Sequence, residues 1–147
     1  MKRLWAPWRM AWIAASKVPA GCVFCSARDG RDDRTSLLLH RSPHAFLILN
    51  AYPYASGHLM AVVTRHVGAL VDLEAPELTD VMRLVQRAVG ALREEYRPDG
   101  FNIGMNQGRA AGAGIEDHLH MHVVPRWNGD NNFMSVTSDT RVLPETL

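Results

Sequence analysis

Three histidines stand at alternate positions in the run His118-Leu119-His120-Met121-His122-Val123-Val124-Pro125. Successive side chains of a β-strand point to opposite faces, so His118, His120 and His122 share one face and Leu119, Met121 and Val123 the other. At about 3.4 Å per residue, neighbouring imidazoles on that face stand roughly 7 Å apart. Such a row is too polar for an ordinary core face. It is also neither terminal nor uninterrupted, as an affinity tract would be. Two chemistries fit it. A histidine pair at i, i+2 can chelate zinc through neutral imidazole, although all three on one ion would have to bridge about 14 Å of strand. Alternatively one histidine is a nucleophile or acid/base and its neighbours support it.

The glycine-rich loop 108–114 (GRAAGAG) ends four residues before His118. Glycine lets a backbone approach a phosphate and aim successive N–H groups at it. Alone, such a loop is weak evidence, because any hairpin can carry one. Directly before a histidine row it makes an anion hole beside a nucleophile.

The chain's two cysteines, Cys22 and Cys25, form Cys-x-x-Cys. A thioredoxin-like redox pair needs a strand before it and a helix after it. Here Gly21 precedes and the polar run 26–34 follows, a context that reads as loop. Two buried thiols without a joint role, or half of a zinc site completed elsewhere, are the other readings.

The elements that must hold these groups can be read from periodicity. Residues 36–41 (SLLLHR) and 45–50 (AFLILN) are apolar runs split by Ser42-Pro43-His44, hence two strands with a tight connection. Residues 51–57 form a Pro/Gly loop, and 58–64 (HLMAVVT) a third strand. A long helix spans about 76–96, its apolar face made of Leu78, Val81, Met82, Val85, Val89, Leu92 and Tyr96. Pro76 suits its first turn, and Arg97-Pro98 stops it. Residues 101–107 (FNIGMNQ) are a strand entering the glycine loop, and the histidine strand follows. Strands around one helix, without βαβ alternation, predict an α+β domain with a mainly antiparallel sheet.

Composition narrows the class. A chain of 147 residues with 47% hydrophobic and 21% charged residues is expected to be one domain, 1–147, with a real core. A net charge of +1 gives no electrostatic case for nucleic acid or an anionic membrane as partner. No stretch approaches the roughly 18 apolar residues of a membrane span. Pro7 and Arg9 interrupt any leader-like apolar run, so the start reads as mature protein and the location as cytoplasmic. Trp5 and Trp8 suggest that residues 1–20 are an extension packing on the body or on a partner subunit.

The run HLHMHVV resembles the His-φ-His-φ-His-φ-φ signature of the histidine-triad (HIT) superfamily. The resemblance extends from about Cys22 to Trp127 and takes in Asn50, Gly57-His58, Asn106-Gln107-Gly108 and Pro125. LWAPWRM, LNAYPYASGHLM and HLHMHVVPRW look like the bacterial branch containing diadenosine tetraphosphate phosphorylase. This resemblance implies a HIT-like fold whose protomers pair into a continuous sheet, a homodimer, and nucleotide chemistry at an α-phosphate. By position, His120 would be the nucleophile that carries the nucleotidyl group, His122 would contact the phosphate and leaving oxygen, and His58 would support them. Asn50 would bind ribose; Asn106, Gln107 and the backbone of Ala113, Gly114 and Ile115 would bind phosphate oxygens. Phe46, Ile48 and Met60 would form a base pocket, with Trp127 among the substrate-binding positions.

Zinc-containing relatives imply a structural ion on Cys22, Cys25, His66 and His118, and no organic cofactor. Neither His40 nor His44 acquires a role. In one respect the chain departs from the family: Gly112-Ala113-Gly114-Ile115 lacks the Ser or Thr that many members place before the triad, leaving that contact to backbone N–H groups. Arg109 or Arg126 nearby could add charge, although an ordinary solvated surface charge is the better reading of either. The implied substrates are dinucleoside polyphosphates, diadenosine tetraphosphate first, with phosphate or water as acceptor. Cleavage of AMP phosphoramidates and nucleotide sensing with little turnover are the rival readings, and a three-histidine zinc hydrolase is the rival from chemistry alone.

Overall fold

The computed structural model describes residues 21–130. The expected extension at 1–20, with Trp5 and Trp8, lies outside them. The described chain runs α1 (Val23–Asp29), β1 (Leu38–Arg41), β2 (Ala45–Leu49), β3 (Leu59–Val63), α2 (Ala75–Tyr96), β4 (Gly100–Gly104) and β5 (His120–Arg126). Short 3₁₀ turns occur at Leu70–Asp72 and Arg109–Ala111. The five strands form one antiparallel sheet in the order β1-β2-β3-β5-β4, the α+β architecture expected.

Period-2 alternation sorts the central strands onto two cores. Ala45 and Leu47 of β2, Leu59, Ala61 and Val63 of β3, and Val123 of β5 face α2 and meet Val81, Leu84, Val85, Ala88 and Leu92. Phe46 and Ile48 of β2 and Met60 and Val62 of β3 face the other way, under Phe24 of α1. β2 and β3 are therefore covered on both faces, which is why AFLIL and LMAVV carry no polar residue. Met60 pairs with His122 and Val62 with His120 across β3 and β5. The register thus seats the histidines on the α1 side of the sheet, beside an apolar floor.

Helix α2 begins with a reciprocal capping box, in which the side chain of Glu77 accepts the backbone N–H of Glu74 at 2.9 Å. Glu77 is only 5% exposed, yet it also accepts Arg65 Nε–H at 2.9 Å and Nη2–H at 2.8 Å. That pair fixes the helix start to the chain just after β3. The helix stops at Arg97, whose left-handed backbone precedes Pro98. Its buried face differs from the expected one. Leu84 and Ala88 are buried, whereas Leu78 and Met82 are 40% and 49% exposed. The apolar stripe is wider than the sheet contact, and Leu78 and Met82 lie on its uncovered margin.

Two further differences concern local structure. Residues 26–29 were expected in a loop but continue α1. Phe24 anchors that helix in the second core, and Arg28 Nη1–H donates to Thr64 O at 2.7 Å. β4 ends at Gly104 rather than at 107. Among the described residues, no helix is long and apolar enough to cross a membrane.

Candidate functional site

Hydrogen bonds to groups of fixed polarity set the tautomer of each histidine. A carbonyl oxygen only accepts, so a ring nitrogen beside one must carry the proton. His120 Nδ1 lies 2.8 Å from His118 O and therefore donates to it. In the neutral ring this leaves Nε2 with a free lone pair. His118 Nε2 lies 2.6 Å from Val63 O, so its proton sits there and its Nδ1 is the lone-pair nitrogen. His58 Nδ1 accepts the backbone N–H of Tyr54 at 3.1 Å and lies 3.3 Å from Asn50 Nδ2. Its proton is consequently on Nε2, which donates to His122 Nδ1 at 3.0 Å. His122 in turn carries its neutral-form proton on Nε2.

His118 and His58 are 0% and 1% exposed, and His120 is 5% exposed. Burial pushes the His120 imidazole below its ordinary value, opposed by its bond to the His118 carbonyl. The His120 and His122 rings lie 4.9 Å apart at 78°, closer than backbone spacing alone predicts because the side chains lean together. Glycines set the approach to this cluster. At Gly57, just before His58, φ is +75° and a Cβ would fall 2.8 Å from Leu92 Cδ2. At Gly68 a Cβ would meet Glu116 O at 2.8 Å, where the chain passes behind the segment entering the histidine strand.

His120 and His122 open into a cavity of about 460 Å³ between α1, β2, β3 and the glycine loop. Of the residues expected at a substrate site, Asn50, Ile48, Met60, Asn106, Gly114 and Ile115 line it. Four expected residues do not. Phe46 is buried in the second core as support for the wall. Gln107 turns its Oε1 to accept Leu70 N–H at 2.8 Å. Ala113 donates its N–H to Gly108 O within the loop, and Gly112, which lines the cavity, donates its own to Arg109 O. Trp127 packs on Tyr96 and donates Nε1–H to Tyr96 O at 3.4 Å.

Arg109 and Arg126 take the ordinary surface role: Arg109 pairs with Glu116 at 2.8 Å, and Arg126 with Asp130 and Asn102. Periodicity did not mark Phe24, Ala27, Leu37, Tyr52 and Tyr54, which also line the cavity. A usable signal was present in Val23-Phe24-x-x-Ala27, one apolar face of a short helix.

On the far side of Phe24, four donors converge. Cys22, Cys25, His66 and His118 each offer one ligand atom, all within 4.8 Å of one another. His118 Nδ1 lies 3.2 Å from Cys22 Sγ, 3.6 Å from Cys25 Sγ and 3.3 Å from His66 Nδ1, and Cys25 Sγ lies 3.4 Å from His66 Nδ1. A tetrahedral zinc with Zn–N of about 2.0–2.1 Å and Zn–S of about 2.3 Å sets its nitrogens about 3.3–3.4 Å apart and nitrogen to sulfur about 3.5–3.6 Å. Those four separations lie close to that tetrahedron's edges, the whole set spans up to 4.8 Å, and two thiols with two imidazoles are a donor set that fits zinc.

The HIT domain family model matches residues 31–129, more than half of the chain and all of the histidine strand. The chain belongs to the HIT family. A relative named AP-4-A phosphorylase, from Mycobacterium tuberculosis, is 37% identical over all of this chain and 79% of its own length. Among solved structures, a Zn-bound histidine triad family protein from Mycobacterium smegmatis is 30% identical, with a TM-score of 0.67 over 85% of this chain and 84% of that one. A HIT family member from Bacillus subtilis, 23% identical with a TM-score of 0.67 over 86% of this chain and 83% of its own, shares the fold. Within this HIT domain, His120, His122 and His58 form one connected group. Cys22, Cys25, His66 and His118 form a second, and the His118 carbonyl joins the two.

Proposed function

We propose that this protein is a nucleotidyl-transfer enzyme that cleaves dinucleoside polyphosphates, diadenosine tetraphosphate first, through a covalent nucleotidyl-His120 intermediate, with phosphate the preferred acceptor. The observation that carries this reading is the opposed protonation of two histidines facing one cavity. His120 presents an Nε2 lone pair, and His122 presents an Nε2–H.

In the first half-reaction, His120 Nε2 attacks the α-phosphorus and the bond to the bridging oxygen breaks. The leaving nucleoside polyphosphate takes the bonding electron pair. The His122 Nε2–H hydrogen-bonds that oxygen as its charge grows. Nδ1–H of the now cationic His120 stays bonded to the His118 carbonyl, which stabilises the adduct. In the second half-reaction the acceptor oxygen attacks the same phosphorus, and the P–N bond returns its electrons to His120. Two displacements let the acceptor differ from the leaving group. Asn106 and the backbone at Gly114 cradle phosphate oxygens, while Ile48, Met60 and Phe24 form the base wall.

The similarity to a protein named AP-4-A phosphorylase favours phosphate over water. Product analysis tests the choice. With diadenosine tetraphosphate and inorganic phosphate, ATP plus ADP is expected in equal amounts. ATP plus AMP under the same conditions would make the enzyme a hydrolase, and no cleavage at all would overturn the reading.

The homodimer belongs to the same reading. Among the described residues, β4 is an edge strand with Asn102, Ile103 and Gly104 exposed, and the exposed Leu70, Leu78 and Met82 share a surface pocket with Met105, just after β4. An open edge beside apolar side chains suits pairing with a second copy into a continuous sheet. Light scattering is expected to give twice the chain mass, and Met82→Glu to lower it to one chain. A monomeric wild type would remove the dimer from the reading.

A further inference from the structure

We propose that Tyr54 is a positioning residue that sets the orientation and tautomer of the His58–His122 pair. The proposal deepens the nucleotidyl-transfer reading and rests on it for its kinetic consequence only. Tyr54 bounds the cavity, and its ring lies almost parallel to the His58 imidazole, with centroids 5.0 Å apart and planes at 19°. The same ring reaches His122 at 6.2 Å and 57°. Tyr54 therefore touches both members of the hydrogen-bonded pair, whose own rings lie 5.1 Å apart.

The bonds already described hold His58 only within its plane. Tyr54 N–H and Asn50 Nδ2 meet Nδ1 from one side, and His122 Nδ1 meets Nε2–H on the other. In-plane bonds resist sliding but resist tilting poorly. A stacked aromatic ring resists tilting, because leaving the parallel arrangement forfeits contact over the whole face.

The ring also excludes water from His58. Water both donates and accepts, so a water beside either nitrogen would remove the reason for a single tautomer. Backbone N–H at Nδ1 makes Nε2–H the only proton His58 can offer, and that proton makes His122 Nδ1 an acceptor. The chain Tyr54 N–H, His58, His122 thus leaves the His122 proton on Nε2, and the Tyr54 ring keeps it so. One residue supplies the first donor through its backbone and the clamp through its side chain.

The two contributions separate cleanly, because Tyr54→Ala removes the ring and retains the backbone N–H. The experiment records two-bond ¹H–¹⁵N correlations of the histidine rings in the substrate-free protein. Steady-state kinetics with diadenosine tetraphosphate and phosphate run in parallel. Wild type is expected to show single Nε2–H tautomers at His58 and His122. Tyr54→Ala is expected to give exchange-averaged ring nitrogens at both. Its kcat should fall by about tenfold with KM within about twofold, the scale on which groups orienting a functional imidazole act.

Tyr54→Phe, which keeps the stack, should recover both properties. Tyr54→Leu keeps bulk without a flat face and serves if the alanine variant does not fold; it should behave as alanine does. Unchanged ring nitrogens in the Ala and Leu variants would overturn the proposal, as would a raised KM with unchanged kcat, which is the mark of a substrate wall alone. If wild type cleaves no dinucleoside polyphosphate, the functional reading fails, and the ring-nitrogen spectra still decide the role of Tyr54.

Discussion

His120→Asn is expected to abolish turnover, lowering kcat by on the order of 10⁴-fold or more, while the protein still binds AMP with affinity close to that of wild type. Asparagine occupies similar space, and its amide N–H can keep the bond to the His118 carbonyl that His120 Nδ1 makes at 2.8 Å. It offers no nitrogen lone pair toward the cavity. The cavity wall of Ile48, Met60 and Phe24 is untouched, so nucleotide binding survives. Mass spectrometry of wild type quenched during turnover should find one AMP on His120, and none on the variant. Calorimetric titration with AMP checks binding, and thermal denaturation checks the fold. Near-normal turnover by His120→Asn would remove His120 as the nucleophile. A three-histidine metal hydrolase would instead lose activity to a chelator without ever forming an adduct.

The histidine row was legible because a period of two is a local property of the chain. It placed Leu119 and Val123 on the α2 core and His120 and His122 on the cavity side. The long helix was legible for the same reason, almost to its ends, since Pro76 and Arg97-Pro98 are local signals. Its orientation was not. Both flanks of the stripe are apolar, and only the sheet decides that Leu84 and Ala88 go in while Leu78 and Met82 stay out.

Helix α1 escaped because its signal is a single short apolar face, Val23-Phe24-x-x-Ala27, and so short a helix is marginal without tertiary support. That support comes from Phe24 in the second core. Depth within a face was equally illegible. Phe46 shares its side of the sheet with Ile48, yet it lies beneath the wall rather than in it. The tautomers depended on partners that strand periodicity does not give, the far-off Val63 for His118 and, for His58, Tyr54 with Asn50 in the irregular loop just before it. Spacing made the three histidines look alike, and those partners separate them.

We propose that the four-donor cluster holds a structural zinc, and metal removal is expected to have the second largest effect. The cluster ties together three segments: the start of α1 through Cys22 and Cys25, the loop after β3 through His66, and the entry to β5 through His118. His118 is already committed to the role, since its Nε2–H is bonded to Val63 O and only Nδ1 remains to bind a metal. Phe24, between the two cysteines, packs on His118 with ring centroids at 5.5 Å and on His120 at 4.9 Å. Loss of the ion should therefore loosen the cavity wall and the nucleophile together. Wild type is expected to carry one zinc per chain by elemental analysis, and Cys22→Ser close to none. If zinc binds about a thousandfold above its dissociation constant, its loss costs about 4 kcal/mol, or a fall in Tm of roughly 10 °C for a domain of this size. His66→Asn, at an exposed ligand away from the packed ring of Phe24, should give the same loss of metal with less disturbance of the core. Turnover should fall in both variants because the His118 carbonyl holds His120 Nδ1–H, yet the adduct on His120 should still form. Unchanged zinc content in Cys22→Ser and His66→Asn would sink the assignment. An adduct lost in strict proportion to the metal would move zinc from the scaffold into the chemistry.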